Sequence, residues 1–516
     1  PIANDSFERI YFTGESEPRA FANDLNSSPW DQSVDYYKIG AAKPSAAATF
    51  SSGHTGGTSY RAYVYTYVTR YGEETGPSPV LSTTTYDTGN VVIDGFTQPP
   101  AGYALRTKVG SNAPKIRVYR TNSSLLGAEF QYVGEFDIDA FNFSTGTYTD
   151  SVDDADLGEV LPTEDYEGIP SDLNGLIGTE GGYLAGFKGN ELYLSEPYLP
   201  HAWPDEYRMS FDYDIVGLGY SGSTLFVITE GTPYYLIGTS PETLSPKRIQ
   251  GFYPCRSKRS IVSTPRGVLY SSYEGLILIN QNGVQVVTAK YLSPTDWEEY
   301  EPEFIHGQYY GDKYFGFYSN ANVGTFIFDF VNDTWTTINK YYQASYRRIA
   351  QGSMYLIYSA SDTTIRLWEG DRYNYFYYTW KSKKYLLKQD TGFTCGQIIV
   401  DQEEYNKVLD SIVDDQYIET INAAIWATGD LQDTFNTKEF NDDEFNGSAL
   451  LDINDVAIDA EILFSLWVDN TKILERTVTA DSYFRIPPKR GRRIEIQLSG
   501  YIPIRRAIIA QSPEEL

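Results

Sequence analysis

A chain of 516 residues has room for roughly three domains, and a hydrophobic content of 41% supplies their cores, which excludes an intrinsically disordered protein. Forty-five Tyr against 2 Met and 3 His is a composition suited to pleated, half-buried surfaces. The net charge of −28 argues against outright nucleic-acid binding, because affinity needs cations to replace phosphate counterions, though it allows an acidic surface that DNA merely passes.

Residues 1–56 hold one good strand, RIYFT, followed by a loose Ala/Ser/Thr-rich stretch; this arm is expected to donate a strand to a larger β-structure. Its start, PIANDSFERIYFTGESEPRAF, shows no apolar export-signal core, and no run in the chain approaches the ~18 residues of a membrane span, so a soluble protein without a membrane anchor is expected. Over 57–162 long alternating strands appear (YRAYVYTYVTR, VVIDGF, KIRVYRT, FQYVGEF, TGTYTD), separated by turn clusters, and predict a β-sandwich. It runs into DSVDDADLGEVLPTEDYEG, read as a linker or exposed loop. From Asp150 to Phe187 there are ten acidic residues and no Lys or Arg.

Between Glu191 and Ser359 a short apolar strand ending on a small hydroxyl recurs five times, as ELYLS, LFVIT, VLYSS, FGFYS and LIYS, at spacings of 34, 43, 47 and 40 residues. This approaches the ~40–50 residue blade period of β-propellers, whose units bury their apolar faces only against neighbours. Blades are therefore predicted over 163–400, and FDFVNDTWTTI has the aromatic–Asp–x–x–Asn–x–x–Trp arrangement that closes kelch-type blades. Residues 401–446 break the pattern. Tyr405, Leu409 and Ile412 predict a small helix near 402–420, and Phe435, Phe440 and Phe445 follow at intervals of five, each before Asn. Gln402 to Asn446 carries twelve acidic residues against Lys407 and Lys438, so the two acidic segments account for −20 of the −28. The last region, 447–516, is β again and either closes the propeller or forms a tip. Here Arg485, Lys489, Arg490, Arg492, Arg493, Arg505 and Arg506 face only Glu495, a candidate docking surface for another subunit or an adaptor. The expected fold class is all-β, a propeller with an inserted sandwich and a C-terminal β region.

Signals for chemistry are weak. Gly217-Leu-Gly219-Tyr-Ser-Gly222 matches GxGxxG, but a strand follows it where the dinucleotide motif opens a helix, so it reads as a hairpin turn. His54, His201 and His306 stand in no ligand or triad spacing. Cys255 and Cys395 form no CxxC; a single disulfide between them is one reading, and two buried free thiols the favoured one. Asp150, Asp153, Asp154 and Asp156 could bind calcium, without the EF-hand order. No catalytic residue, cofactor or metal site is assigned, and no enzyme is expected.

Several stretches resemble the tail nozzle (tail hub) proteins of short-tailed bacteriophages, the group that includes packaged-DNA stabilisation proteins. RIYFTGESEPRAF and YYKIGAAKPSAAATF are similar to that family's opening, and YTYVTRYGEETGPSPV with KIRVYRT and YTDSVDDADLGEVL resembles its fibronectin type III-like insertion. The fullest match is GYLAGFKGNELYLSEPYLPHAWPDEY through DYDIVGLGYSGSTLFVITEGTPYYLIGTSPETLS, and PCRSKRSIV, GVLYSSYEGLILI and RAIIAQSPEEL also fit. Residues 402–446 match no pattern of the family. The resemblance implies a structural virion protein, made in the host bacterial cytoplasm, that forms a ring of usually six copies below the portal and adaptor and meets tail fibre or tip proteins. Genomic DNA would pass through the lumen without sequence-specific binding. On this expectation Asp410, Asp414, Asp415, Glu419, Asp442, Asp443 and Glu444 are candidate lumen or gate residues; Lys489, Arg490, Arg492, Arg493, Arg505, Arg506, Phe435, Phe440 and Phe445 are candidate interface residues. The alternative from another class is a carbohydrate-binding propeller or a tail-associated polysaccharide depolymerase.

Overall fold

The computed structural model describes residues 9–14, 17–21, 36–51, 59–86, 90–105, 113–122, 129–358, 364–369, 377–400, 462–478, 481–502 and 504–515. The chain is all-β, built from many small antiparallel sheets, and divides into two compact units, Pro1–Ile365 and Arg366–Leu516. The expected helix near 402–420 and Phe435, Phe440 and Phe445 lie outside the described residues.

In the first unit Ile10–Phe12, Arg19–Phe21 and Tyr37–Lys38 form a sheet of their own. The RIYFT strand thus pairs within the N-terminal segment, not with the repeat sheets as the sequence reading expected. Two further sheets enclose one core. Leu81–Tyr86, Ser59–Val68, Lys115–Thr121 and Phe130–Asp137 make one; Tyr148–Asp150, Val91–Asp94 and Thr49–Phe50 make the other. Thr49–Phe50 pairs with Val91–Asp94, so the sandwich starts before residue 57. Period-two alternation explains its core: Tyr63, Tyr65 and Tyr67 point inward from one strand, Ile116 and Val118 from its neighbour. The same alternation turns Arg61 and Arg120 inward. Arg120, 0% exposed, meets the equally buried Asp150 at 2.9 Å and Asp154 at 2.6 Å, and Arg61 reaches Asp154 at 3.1 Å. The Tyr63 hydroxyl donates to Asp150 at 2.7 Å. Downstream, Tyr132 and Leu161 donate backbone bonds to Glu159 and Phe130. The acidic stretch after the sandwich is therefore a strap fastened to it at both ends, not a linker.

From Asn174 four consecutive four-stranded sheets follow, each pairing its strands in chain order: Asn174–Ser210, Ile215–Arg248, Val262–Val286 and His306–Ile338. A fifth starts with Ala344–Arg348 paired to Ser353–Ile357. Second strands begin at Leu184, Thr224, Gly267, Lys313 and Ser353, so the spacing evens out to between 40 and 46 residues. ELYLS is the third strand of its sheet, one strand out of phase with the other four copies. Consecutive sheets share cores. Leu225 and Val227 pack back on Leu192 and Leu194, whereas Phe226 and Ile228 pack forward on Val268 and Tyr270. Both faces of Thr224–Thr229 are thereby covered, and all six residues are buried. Trp297, 0% exposed, lies over Phe326 and Trp335 and donates its Nε1–H to the Ser272 carbonyl at 2.7 Å.

The second unit is a two-layer sandwich. Arg490–Gly500 is its central strand, with Ile462–Val468 and then Thr471–Val478 on one side and Tyr378–Lys381 and Tyr385–Gly392 on the other. Cys395–Val400, flanked by Tyr483–Arg485 and Ile504–Ala510, forms the second layer. Ile494, Ile496 and Leu498, with Phe464 from the neighbouring strand, face Ile398 and Phe484 across the core. The strands of 378–400 thus belong with the C-terminal strands, where the sequence reading had continued the repeats to residue 400.

Replacing Arg120 with Met strips Asp150 of its deepest counter-charge, which costs about 3–5 kcal/mol for a buried pair. Loss of amide-exchange protection over Ser59–Val68 is expected, with partial recovery when Asp150→Asn is added; unchanged protection in the single variant would show that the pair is not stabilising.

Candidate functional site: the cationic end of the C-terminal sandwich

A group of exposed cations stands at one end of the C-terminal sandwich. Pairing of Arg490 with Gly392 and Arg493 with Leu386 sets the central strand beside Tyr385–Gly392. Ile486 donates its amide to the Thr394 carbonyl, which brings Arg485 and Lys489 to the same end. Lys388, Arg485, Lys489, Arg490, Arg492 and Arg493 are all exposed there. Asp469 and Asn470, both at positive φ (50° and 64°), make the two-residue turn between Ile462–Val468 and Thr471–Val478. The Asp469 carboxylate accepts the backbone N–H groups of Arg492 and Arg493 at 3.1 and 2.9 Å. Those two bonds, with Arg493 and Lys489 nearby, hold its carboxyl below the usual range. Gly491 permits the approach, because a Cβ there would lie 2.4 Å from the Asp469 carboxylate and Val468. Asp469 therefore braces the backbone while the arginine side chains extend outward; the Arg492 guanidinium donates to the Lys388 carbonyl at 2.8 Å.

The structure separates the predicted interface residues. Lys489, Arg490, Arg492 and Arg493 come together. Arg506 pairs with Ile399, four residues along from the Cys395 that pairs with Arg485, so Arg505 and Arg506 sit ~13 Å further along the strand, toward the other end of the layer. The predicted lumen residues Asp410, Asp414, Asp415, Glu419, Asp442, Asp443 and Glu444 lie outside the described residues, as does His54.

The remaining sequence candidates resolve into packing. Gly217–Gly222 forms a strand end and hairpin, with Gly222 at φ +58°; a Cβ on Gly219 would meet Val268 at 2.5 Å, so that glycine answers to sheet stacking. Asp150 and Asp154 are engaged by Arg61 and Arg120, which occupy the place a calcium ion would need. No cluster of three or more His, Cys, Asp or Glu among the described residues is arranged for a metal ion, and no described helix is long and apolar enough to cross a membrane. Both cysteines are free and buried, and burial pushes the Cys255 thiol up to about 12. The strand-end hydroxyls make local bonds: the Leu184 amide donates to Ser195, and the Thr229 hydroxyl donates to the Thr232 carbonyl. In FDFVNDTWTTI, Asp329 accepts the amides of Val331 and Asn332, and Trp335 stacks on Phe326 at 4.5 Å.

Sequence reasoning missed two buried groupings. Arg9 pairs with Glu73, whose carboxylate lies 3.9 Å from His201 Nδ1, so distant segments meet in one interior. His306 is 4% exposed, stacks on Phe317 at 4.6 Å and meets Tyr341 edge-on. Neither ring nitrogen has a hydrogen-bond partner. Alternation in HGQYY gave no hint of it, because the other buried residue of that strand, Tyr309, is out of phase with His306.

No family model matches the chain, and no curated protein does. Among solved structures the chain is similar to PorZ, an essential bacterial surface component of the type-IX secretion system of Porphyromonas gingivalis, at 11% identity and a TM-score of 0.23, over 64% of this chain and 45% of that one. It is also similar to the extracellular domain of the hybrid two-component system BT4673 from B. thetaiotaomicron, at 12% identity and a TM-score of 0.28, over 69% of this chain and 44% of that one. The chain spans less than half the length of either, and overlap this limited carries no functional argument.

Burial, with Arg259 nearby, lowers His306 to about 4 from its ordinary 6.5. A depressed histidine contributes stability that is complete above pH 6.5 and lost as pH falls toward 4, about 3 kcal/mol in total. His306→Phe, which keeps the ring stack, should hold amide-exchange protection over Lys313–Ser319 across that range while the parent loses it; parallel losses would exclude His306 as the cause.

Proposed function

We propose that this protein is a subunit of a ring-shaped tail nozzle of a short-tailed bacteriophage, a conduit through which genomic DNA leaves the particle and in which it is retained beforehand. The observation that carries the reading is the series of small sheets in chain order, each sharing its core with the next. On this reading the four-stranded meanders are the blades of a propeller, and the sandwich of residues 49–150 is a fibronectin-like module inserted before them. Most of the phrases that resemble the nozzle family lie in the sandwich and the repeat region, while RIYFTGESEPRAF and RAIIAQSPEEL lie outside them. Ser195, Thr229, the two cysteines and the GxGxxG segment have structural duties, which suits a protein whose work is passage and contact. The reading places the protein in the virion tail, with partners in the adaptor and portal above it and in tip or fibre proteins beside it.

The fastened strap refines where a DNA-repelling surface would lie. Asp150 and Asp154 are structural, but Asp153, Asp156, Glu159, Glu164 and Asp165 are exposed. A lumen surface of this kind releases no counterions on contact and so does not hold DNA. Changing those five to Asn or Gln should leave folding intact and slow genome ejection measured by dye release from virions. Ejection at the parental rate would remove the strap from the channel.

Electron micrographs of the purified protein are expected to show an annulus with a central hole. A solitary compact particle, together with reducing-sugar release from host polysaccharide, would replace the nozzle reading with the depolymerase one.

A further inference from the structure

The whole-chain charge conceals a reversal. The described residues of the second unit hold fourteen Lys and Arg against eight Asp and Glu, a net charge of +6 in a chain of −28. Six of those cations stand at one end, against four carboxylates. Asp469 accepts backbone amides, Glu515 accepts the Gln511 amide at 2.9 Å, and Asp390 and Glu514 are exposed, so cations remain in excess there. Glu495, on the same central strand, pairs with Lys381 at 3.2 Å. We infer that this end of the sandwich, formed by Lys388, Arg485, Lys489, Arg490, Arg492 and Arg493, is a contact site for the phosphodiester backbone of DNA, engaged without reading base sequence.

Three observations support the assignment. Four of the six are arginines, whose planar forks grip phosphate oxygens in pairs of bonds where lysine offers a point charge. Large side chains stand exposed beside them: Tyr483, 68% exposed, is two residues from Arg485, and Leu386, 74% exposed, lies opposite Arg493. The third is position. The acidic residues 401–461 leave the sandwich at Val400 and return at Ile462. Ile462 lies six residues up its strand from Val468, and Val400 five up from Cys395, so both attachment points are ~17–20 Å from the cationic end. With a screening length of ~8 Å at physiological ionic strength, DNA approaching this end responds chiefly to the charges within about that distance of it. The general argument from net charge against nucleic acid fails here because charge acts locally.

The proposal deepens the conduit reading and takes its biological setting from it, while the contact itself is testable apart from any ring. The full chain would be titrated into a fluorescein-labelled 20-base-pair duplex, with anisotropy read from 50 to 200 mM NaCl. Binding is expected at low salt, equal for a scrambled duplex, with a log–log salt slope of about −4 to −5 for the phosphates neutralised. Arg490→Gln/Arg492→Gln/Arg493→Gln should cut the affinity at least tenfold and flatten the slope by about 3. Arg505→Gln/Arg506→Gln, at the other end, should stay near the parent. Should the triple variant fail to fold, Arg485→Gln/Lys489→Gln tests the same end with two residues outside the central strand's interior, expecting a slope smaller by about 2. No anisotropy change at 50 mM salt, or equal binding by the parent and these variants, overturns the site. Loss of annular particles in the triple variant without any DNA binding by the parent reassigns the patch to a second copy of the chain, and also overturns it. Annuli without DNA binding sink this inference and leave the nozzle reading; DNA binding by solitary particles does the reverse.

Discussion

None of the small sheets of the repeat region can bury both of its faces alone, and the rest of that region follows from this. Thr224–Thr229 is apolar on every residue because one side packs on the preceding sheet and the other on the next. A strand covered on both faces loses the polar half of its alternation, so the repeat shows itself as short uninterrupted apolar runs. Glycines sit where sheets touch most closely, as Gly219 does against Val268. The strand-end hydroxyls tie off turn amides and carbonyls that stacking would otherwise leave without partners.

Buried charge marks where non-repeating segments are fastened to this frame. Arg120 and Arg61 bring the acidic strap to the first sandwich through Asp150 and Asp154. Arg9 and Glu73 join the N-terminal segment to the loop after Ser59–Val68, with His201 alongside. Pairs like these are costly to desolvate and costlier still to break, so they fix a segment's position more than they add net stability. A chain read as a string of modules is therefore cross-linked by charge in its first unit.

In the second unit charge is displayed outward. Its core is an ordinary sandwich, but the alternation of RRIEIQLSG sends Ile494, Ile496 and Leu498 inward while the arginines collect at the strand's beginning. Asp469 fixes that strand's backbone by accepting the Arg492 and Arg493 amides.

Local periodicity determined a great deal. The all-β class, the sandwich before residue 162, the repeat near forty residues and the hairpin at Gly217–Gly222 were legible because alternation, turn residues and Gly placement act over a few positions. The inward arginines share the phase of Tyr63 and Ile116, but the sequence reading passed over them and took Asp150 and Asp154 as possible calcium ligands. What periodicity could not decide was pairing: that Ile10–Phe12 closes on its own segment, that ELYLS is a third strand, that 378–400 joins the C-terminal strands, and that Arg490–Arg493 gather while Arg505 and Arg506 stand apart. Each depends on which distant edge offers free backbone donors and a matching apolar face, an outcome of the whole chain's packing that no window of the sequence contains.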